Sequence, residues 1–116
     1  LAAAAAWAIS ERFDAVAYAV HGGDHAIYPD CRKEFAEAMD RAISLADWHH
    51  LNVFYPFVEL RKFEIVSLGV ELEVPFAMTW SCYRGRTIHC GRCGTCTERR
   101  EAFKLAGVDD PTEYIG

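Results

Sequence analysis

Cys82, Cys90, Cys93 and Cys96 spell C-x7-C-x2-C-x2-C, a spacing that suits one tetrahedral metal ion. Thiolates two residues apart reach a single ion through a tight turn, and Gly91 and Gly94 let the backbone fold beneath it. One structural Zn²⁺ per chain is the expected occupant. A disulfide framework fits less well, because bridges among cysteines this close in sequence would close strained, very short loops. An iron–sulfur cluster is the sharper rival, since C-x2-C-x2-C occurs in ferredoxins. There a further downstream cysteine followed by proline is usual, and this chain has none. Four thiolates leave zinc no open position, so the metal is expected to hold a lobe together rather than to react.

A second concentration of functional groups lies between residues 21 and 32: His21, Asp24, His25, Tyr28, Asp30, Cys31 and Arg32. Asp and Arg can read the hydrogen-bonding edge of a polar heterocycle, and Tyr can stack on its face. Singly, each has a structural explanation: Asp30 as a helix cap, Tyr28 as a packing ring, Cys31 as a small buried hydrophobe. Together, past the carboxyl end of a strand, they read as a substrate-binding loop. A second metal on His21 and His25 is a weaker alternative. Lys62 opens a helix, where a lysine is usually just solvated.

The elements that must position these groups follow from the apolar pattern. Residues 1–12 are strong helix formers. Ala15-Val16-Ala17-Tyr18-Ala19-Val20 is an unbroken apolar run of strand length, the signature of a parallel strand buried on both faces. Asp30 is a plausible N-cap for a helix over 31–46, whose inward face is expected to be Phe35, Ala38, Met39, Ala42, Ile43 and Ala46. Leu51–Pro56 reads as a second strand. Residues 59–70 read as a helix with Ile65, Val66 and Gly69 inward, closed before Pro75. Thr95-x-x-Glu98 is a capping box for a helix over 96–105, ended by Gly107. The order α-β-α-β-α, metal ribbon, α implies an α/β fold with a parallel sheet. Two strands make a poor sheet, so at least one edge is expected to need strands that this chain lacks.

At 116 residues there is one domain's worth of chain, and 52% apolar with 25% charged residues is ordinary for a soluble protein. A net charge of −5 argues against a broad nucleic-acid footprint. Arg84, Arg86, Arg92, Arg99, Arg100 and Lys104 make a locally basic stretch, read as a solvated rim around an anionic thiolate centre. Five cysteines without a secretory signal suggest a reducing cytoplasm, and the apolar opening is too short to span a bilayer. The chain begins with Leu rather than Met, so it is expected to be a fragment.

His21-Gly22-Gly23-Asp24-His25-Ala26-Ile27-Tyr28-Pro29-Asp30-Cys31-Arg32, Thr79-Trp80-Ser81-Cys82-Tyr83 and Cys90-Gly91-Arg92-Cys93-Gly94-Thr95-Cys96 closely resemble the 7-cyano-7-deazaguanine synthase family, as does the tail from Glu98 to Val108. The resemblance covers essentially the whole chain. It implies a Rossmann-like domain of the ATP pyrophosphatase (adenine nucleotide alpha hydrolase-like) group, with residues 1–78 its C-terminal part and 79–116 a zinc-binding lobe. It also implies ATP with Mg²⁺, ammonia and 7-carboxy-7-deazaguanine as reactants, the carboxylate being adenylated, amidated, activated again and dehydrated to the nitrile that precedes queuosine. Relatives often carry Lys followed by Glu-Ile where this chain has Lys62 in Leu60-Arg61-Lys62-Phe63-Glu64-Ile65, which implies a cation that meets the nucleotide phosphates. The family's S-G-G-x-D-S phosphate loop does not occur in these residues, which therefore resemble the C-terminal half of the enzyme and are not expected to turn over alone. No direct nucleic-acid or membrane partner is implied, and the oligomeric state stays open, a homodimer included. The alternative from another class is a non-catalytic zinc ribbon that binds a protein or RNA, which would have no need of the polar loop at 21–32.

Overall fold

The computed structural model describes residues 1–85 and 87–115, so Arg86 of the basic stretch lies outside the described residues. Contacts divide the chain into two compact units, Leu1–Arg61 and Lys62–Gly116.

The first unit holds α1 (Ala2–Ser10), β1 (Ala15–Ala17), α2 (Lys33–Ser44) and β2 (Asn52–Phe54). β1 and β2 pair in parallel, with Val16 opposite Val53. The ladder is extended by the Asn52 N–H donating to the Asp14 carbonyl at 3.0 Å and the Tyr18 N–H to Phe54 at 2.8 Å. Asp40 of α2 accepts the Val53 N–H through Oδ1 at 2.7 Å, so a side chain satisfies a ladder position. Ala5, Ala8, Ile43, Leu51 and Val53 form the buried core, with Leu1, Ile9, Val16, Tyr18, Met39 and Tyr55 packed against it.

The parallel α/β arrangement is the one expected, but three local readings in this unit need correction. The 15–20 run is not buried on both faces: Ala15, Ala17 and Ala19 are exposed, and Phe54 beside them is 60% exposed. Among the described residues the sheet consists of these two short strands, so neither has a second neighbouring strand. Asp30 does not cap α2; it lies in a single 3-10 turn, Pro29–Cys31, and Arg32 occupies the N-cap without a side-chain cap bond. Of the expected inward face Ile43 is buried and Phe35 and Met39 are half-buried, while Ala38, Ala42 and, beyond the helix end, Ala46 are exposed; Ala36, outside that set, is buried instead. Alanine is apolar but small, so it marks no face by itself.

The second unit contains α3 (Lys62–Glu71) and α4 (Gly94–Ala106). They meet through Val66, Ala102 and Phe103, joined by Phe63, Phe76, Ala106 and Val108. Gly69 is required at this crossing, because a Cβ there would stand 2.4 Å from the Phe76 ring. Val66 and Gly69 are buried as expected from the sequence. Thr95 is not the N-cap of α4. Cys93 is, and the helix begins two residues earlier than the capping box suggests. Gly107 does end α4, in the left-handed region at φ 71°.

Candidate functional site

The four cysteines converge although they come from three kinds of backbone. Cys82 lies on an irregular segment, Cys90 and Gly91 form a turn in which Gly91 takes φ +71°, Cys93 caps α4, and Cys96 sits in its first turn. Their sulfurs all lie within 4.8 Å of one another, and the four residues are 0–8% exposed. A tetrahedral ion with metal–sulfur bonds of about 2.3 Å sets its sulfurs about 3.8 Å apart. Cys93 Sγ is 3.9 Å from Cys82 Sγ and 3.3 Å from Cys96 Sγ, close to that edge length and far from a disulfide.

The surrounding donors suit thiolates. The N–H groups of Gly85, Arg84 and Cys90 point at Cys82 Sγ from 2.9, 3.3 and 3.3 Å. Burial pushes the Cys82 thiol up, but the backbone donors of Cys90, Arg84 and Gly85 outweigh it and hold the thiol below its ordinary value. The Thr95 hydroxyl, 3.2 Å from Cys93 Sγ, and the Cys96 N–H draw the Cys93 thiol down to about 5. Burial, and the Cys93 sulfur beside it, push Cys96 up to about 12. Four buried sulfurs cannot all ionise without a counter-charge, and a divalent cation would supply one. The donor set therefore fits a four-thiolate metal site.

Around the cysteines stands a second set of side chains that spacing alone did not reveal. Trp80 stacks on His89 at 4.1 Å and donates its indole N–H to the Cys82 carbonyl at 2.7 Å. His89 is buried and accepts the Ser81 N–H at Nε2, 3.1 Å away, so the neutral ring carries its proton on Nδ1. Arg99 is not part of a solvated rim. It is 7% exposed, paired with Asp110 at 3.2 Å and bonded to Thr79, Ser81 and the Phe76 carbonyl. The basic run hid this because a helix turns every fourth residue inward: Cys96, Arg99 and Phe103 share the buried face, while Arg92, Arg100 and Lys104 are exposed. The local signal for Asp110 is Asp-Pro-Thr, whose carboxylate accepts the Thr112 N–H at 3.1 Å.

The polar loop follows β1 in the first unit. The Gly22 N–H donates to Leu60 at 2.7 Å, and a Cβ on Gly22 would stand 3.2 Å from the Glu59 and Leu60 carbonyl oxygens, a tight approach that glycine relieves. His21 Nε2 and Asp24 Oδ2 pair at 3.2 Å. The Arg32 Nε–H donates to the His25 carbonyl at 2.9 Å, and the Tyr18 hydroxyl donates to the Asp30 carbonyl at 2.9 Å. Tyr28 is 53% exposed and Asp30 is exposed. The His25 Nε2 atom is buried without a hydrogen-bond partner among the described residues. Burial, with the charges of Asp30 and Asp24, pushes the half-buried Cys31 thiol up. Lys62 belongs to the second unit, where it opens α3 and pairs with Glu98 at 2.5 Å. Glu98 is thus engaged across the helix pair and not in a capping box.

Residues 1–107 match the family model described as queuosine biosynthesis protein QueC. The chain belongs to the QueC family. It is 54% identical over 114 residues to a 7-cyano-7-deazaguanine synthase of Caldicellulosiruptor bescii, covering 98% of this chain and 52% of that protein. Over 116 residues it is 55% identical to the synthase of Rhizobium etli and 56% to that of Chelativorans sp., covering 98% of this chain and 49% and 50% of theirs. The chain spans about half the length of these QueC relatives, matching their C-terminal half. No helix among the described residues is long and apolar enough to cross a membrane.

Proposed function

We propose that this chain is part of a 7-cyano-7-deazaguanine synthase: an ATP-dependent ligase of the cytoplasm that converts 7-carboxy-7-deazaguanine and ammonia to the nitrile. The observation that carries the reading is the match of 98% of the chain, at 52–56% identity, to relatives bearing that name. The reaction adenylates the substrate carboxylate, lets ammonia displace AMP to give the amide, then activates the amide oxygen and eliminates it. ATP and Mg²⁺ supply the activation. A Rossmann-like domain that includes residues 1–78 would present the reactants, with residues 79–116 as the metal lobe.

In this reading the loop at 21–32 binds the deazaguanine. Its fixed scaffold is the Gly22–Leu60 bond, the His21–Asp24 pair and the Arg32–His25 bond, which hold the loop's shape without the substrate. The exposed Tyr28 ring offers a stacking face, and the Asp30 carboxylate offers an acceptor for the ring N–H groups of a guanine-like edge. His25 Nε2 has an unspent hydrogen bond to give or accept. Lys62 supplies positive charge to the ATP phosphates. Cys82, Cys90, Cys93 and Cys96 hold Zn²⁺, which by filling all four positions with thiolate stiffens the lobe and takes no part in the chemistry.

The test uses the complete enzyme that carries this segment. Asp30→Ala is expected to lower nitrile formation at least 100-fold, with one zinc per chain retained. Full activity in this variant would return the loop to a structural role, and failure of the parent enzyme to make nitrile would sink the functional reading itself.

A further inference from the structure

Residues after α4 do not trail away from the metal centre but cross over it. Tyr114 packs against the cluster formed by Cys82, Cys90, Cys93 and Cys96. Its backbone forms a parallel bridge with His89, and the Ile115 N–H donates to the His89 carbonyl at 2.8 Å, one residue before a cysteine ligand. The Tyr114 ring meets the His89 ring edge-on at 5.7 Å. Arg100 lies over the Tyr114 ring, 3.9 Å from its centroid, while donating to the Gly91 carbonyl at 2.9 Å. The Tyr114 hydroxyl donates a short hydrogen bond to Asp110, whose carboxylate is itself held by the buried Arg99. Gly91 shows how close the crossing is: a Cβ there would stand 3.0 Å from Arg100 Nη2 and 3.4 Å from the Tyr114 Cβ.

We propose that residues 110–115 are a strap that closes the metal centre, with Tyr114 as its latch, and that the metal is released only when the strap lifts. The inference rests on the four cysteines holding a metal ion. Removal of a thiolate-bound ion by a chelator proceeds by incoming ligands replacing sulfurs one at a time, so it needs access to the ion. With the cysteines 0–8% exposed, an incoming ligand needs part of their cover to move, and Tyr114 is part of that cover. The strap is tied at both ends, by Asp110 to Arg99 and by Ile115 to His89, and tied in the middle by a ring that touches the cysteines. Lifting it breaks these contacts together, which makes opening slow without changing the ligand set.

The experiment uses the complete enzyme that carries this segment, loads it with zinc and measures two quantities, zinc per chain and the rate of zinc transfer to an excess of a chromophoric chelator. Tyr114→Ala is expected to speed transfer at least ten-fold with the zinc stoichiometry unchanged. Tyr114→Phe keeps the ring and loses only the bond to Asp110, so a two- to five-fold acceleration is expected. Transfer within two-fold of the parent in a zinc-loaded Tyr114→Ala chain overturns the strap. If Tyr114→Ala fails to load zinc, Tyr114→Phe decides: acceleration supports the latch and an unchanged rate overturns it. A parent chain that binds no zinc refutes the metal assignment instead, a separate reading from the transfer rate.

Discussion

Replacing Arg99 with Met tests the network that ties α4 to the segments before and after it. The guanidinium is 7% exposed and donates to Asp110 at 3.2 Å, Thr79 at 2.9 Å, Ser81 at 3.2 Å and the Phe76 carbonyl at 3.1 Å. Met is of similar length and retains contact with the Phe103 ring, over which the guanidinium now lies at 5.0 Å, so little cavity forms. The loss is electrostatic. The Thr79 and Ser81 hydroxyls can turn to other partners, and the Phe76 carbonyl keeps the Thr79 hydroxyl at 2.8 Å. Asp110 is the group left stranded, its side chain only 11% exposed, with the Thr112 N–H and the Tyr114 hydroxyl as surviving donors. Removing one partner of a buried pair costs about 3–5 kcal/mol, and the two surviving donors place this case near 3 kcal/mol, at the low end. That is a large share of a domain stability of about 5–15 kcal/mol. Urea unfolding of the zinc-loaded chain, followed by circular dichroism and zinc release, should show a midpoint lower by about 1.5–3 M for a slope of about 1–2 kcal/mol/M. Arg99→Lys should recover less than half, since one ammonium cannot span four acceptors. Asp110→Asn added to Arg99→Met should cost less than the sum of the two by about 1 kcal/mol or more. A loss below about 1 kcal/mol for Arg99→Met, with the slope unchanged, would refute the reasoning.

Cys93→Ser removes a metal ligand while leaving a good capping residue at the start of α4, so zinc per chain should fall from one to near none by elemental analysis, and the second unit should unfold at lower urea because the metal is lost. Gly69→Ala drives a methyl into the Phe76 ring, itself packed edge-on against Phe103 at 4.9 Å, and calorimetry should show a loss of about 1–3 kcal/mol. Burial raises the Asp110 carboxyl, but the bonds from Thr112, Tyr114 and Arg99 outweigh it and hold it below the usual carboxylate value. A depressed folded value means that stability is full above the unfolded value of about 4 and drains away as pH falls through the folded one, so acid unfolding should begin there and Asp110→Asn should flatten that limb. The S-G-G-x-D-S phosphate loop does not occur in these 116 residues, so calorimetric titration of the isolated chain with MgATP should give no measurable heat of binding; tight binding would reveal a nucleotide site elsewhere in these residues.

Some of this protein was legible residue by residue. Metal ligation needs only four sulfurs at short separations on a turn and a helix start, so the C-x7-C-x2-C-x2-C spacing pointed to a cluster that folding closes to within 4.8 Å. The left-handed end of α4 was equally local, because Gly107 is the residue that tolerates φ 71° there. The parallel pairing of the two apolar runs followed from their separation by a helix. What tertiary structure decided were the questions of which surface meets which. The 15–20 run was apolar enough for burial, but burial depends on what packs around it, and among the described residues β1 has a single strand beside it. Asp30 and Thr95 carried capping chemistry, yet Arg32 and Cys93 took the caps, because the helix starts where the preceding turn delivers the chain. Arg99 looked like one of six basic residues on a wet rim until the helix phase turned it towards Asp110. Tyr114 was silent in the sequence. Its place over the cysteines depends on a fold-back spanning α4 and the tail, and no periodicity records a contact between residues 89 and 114.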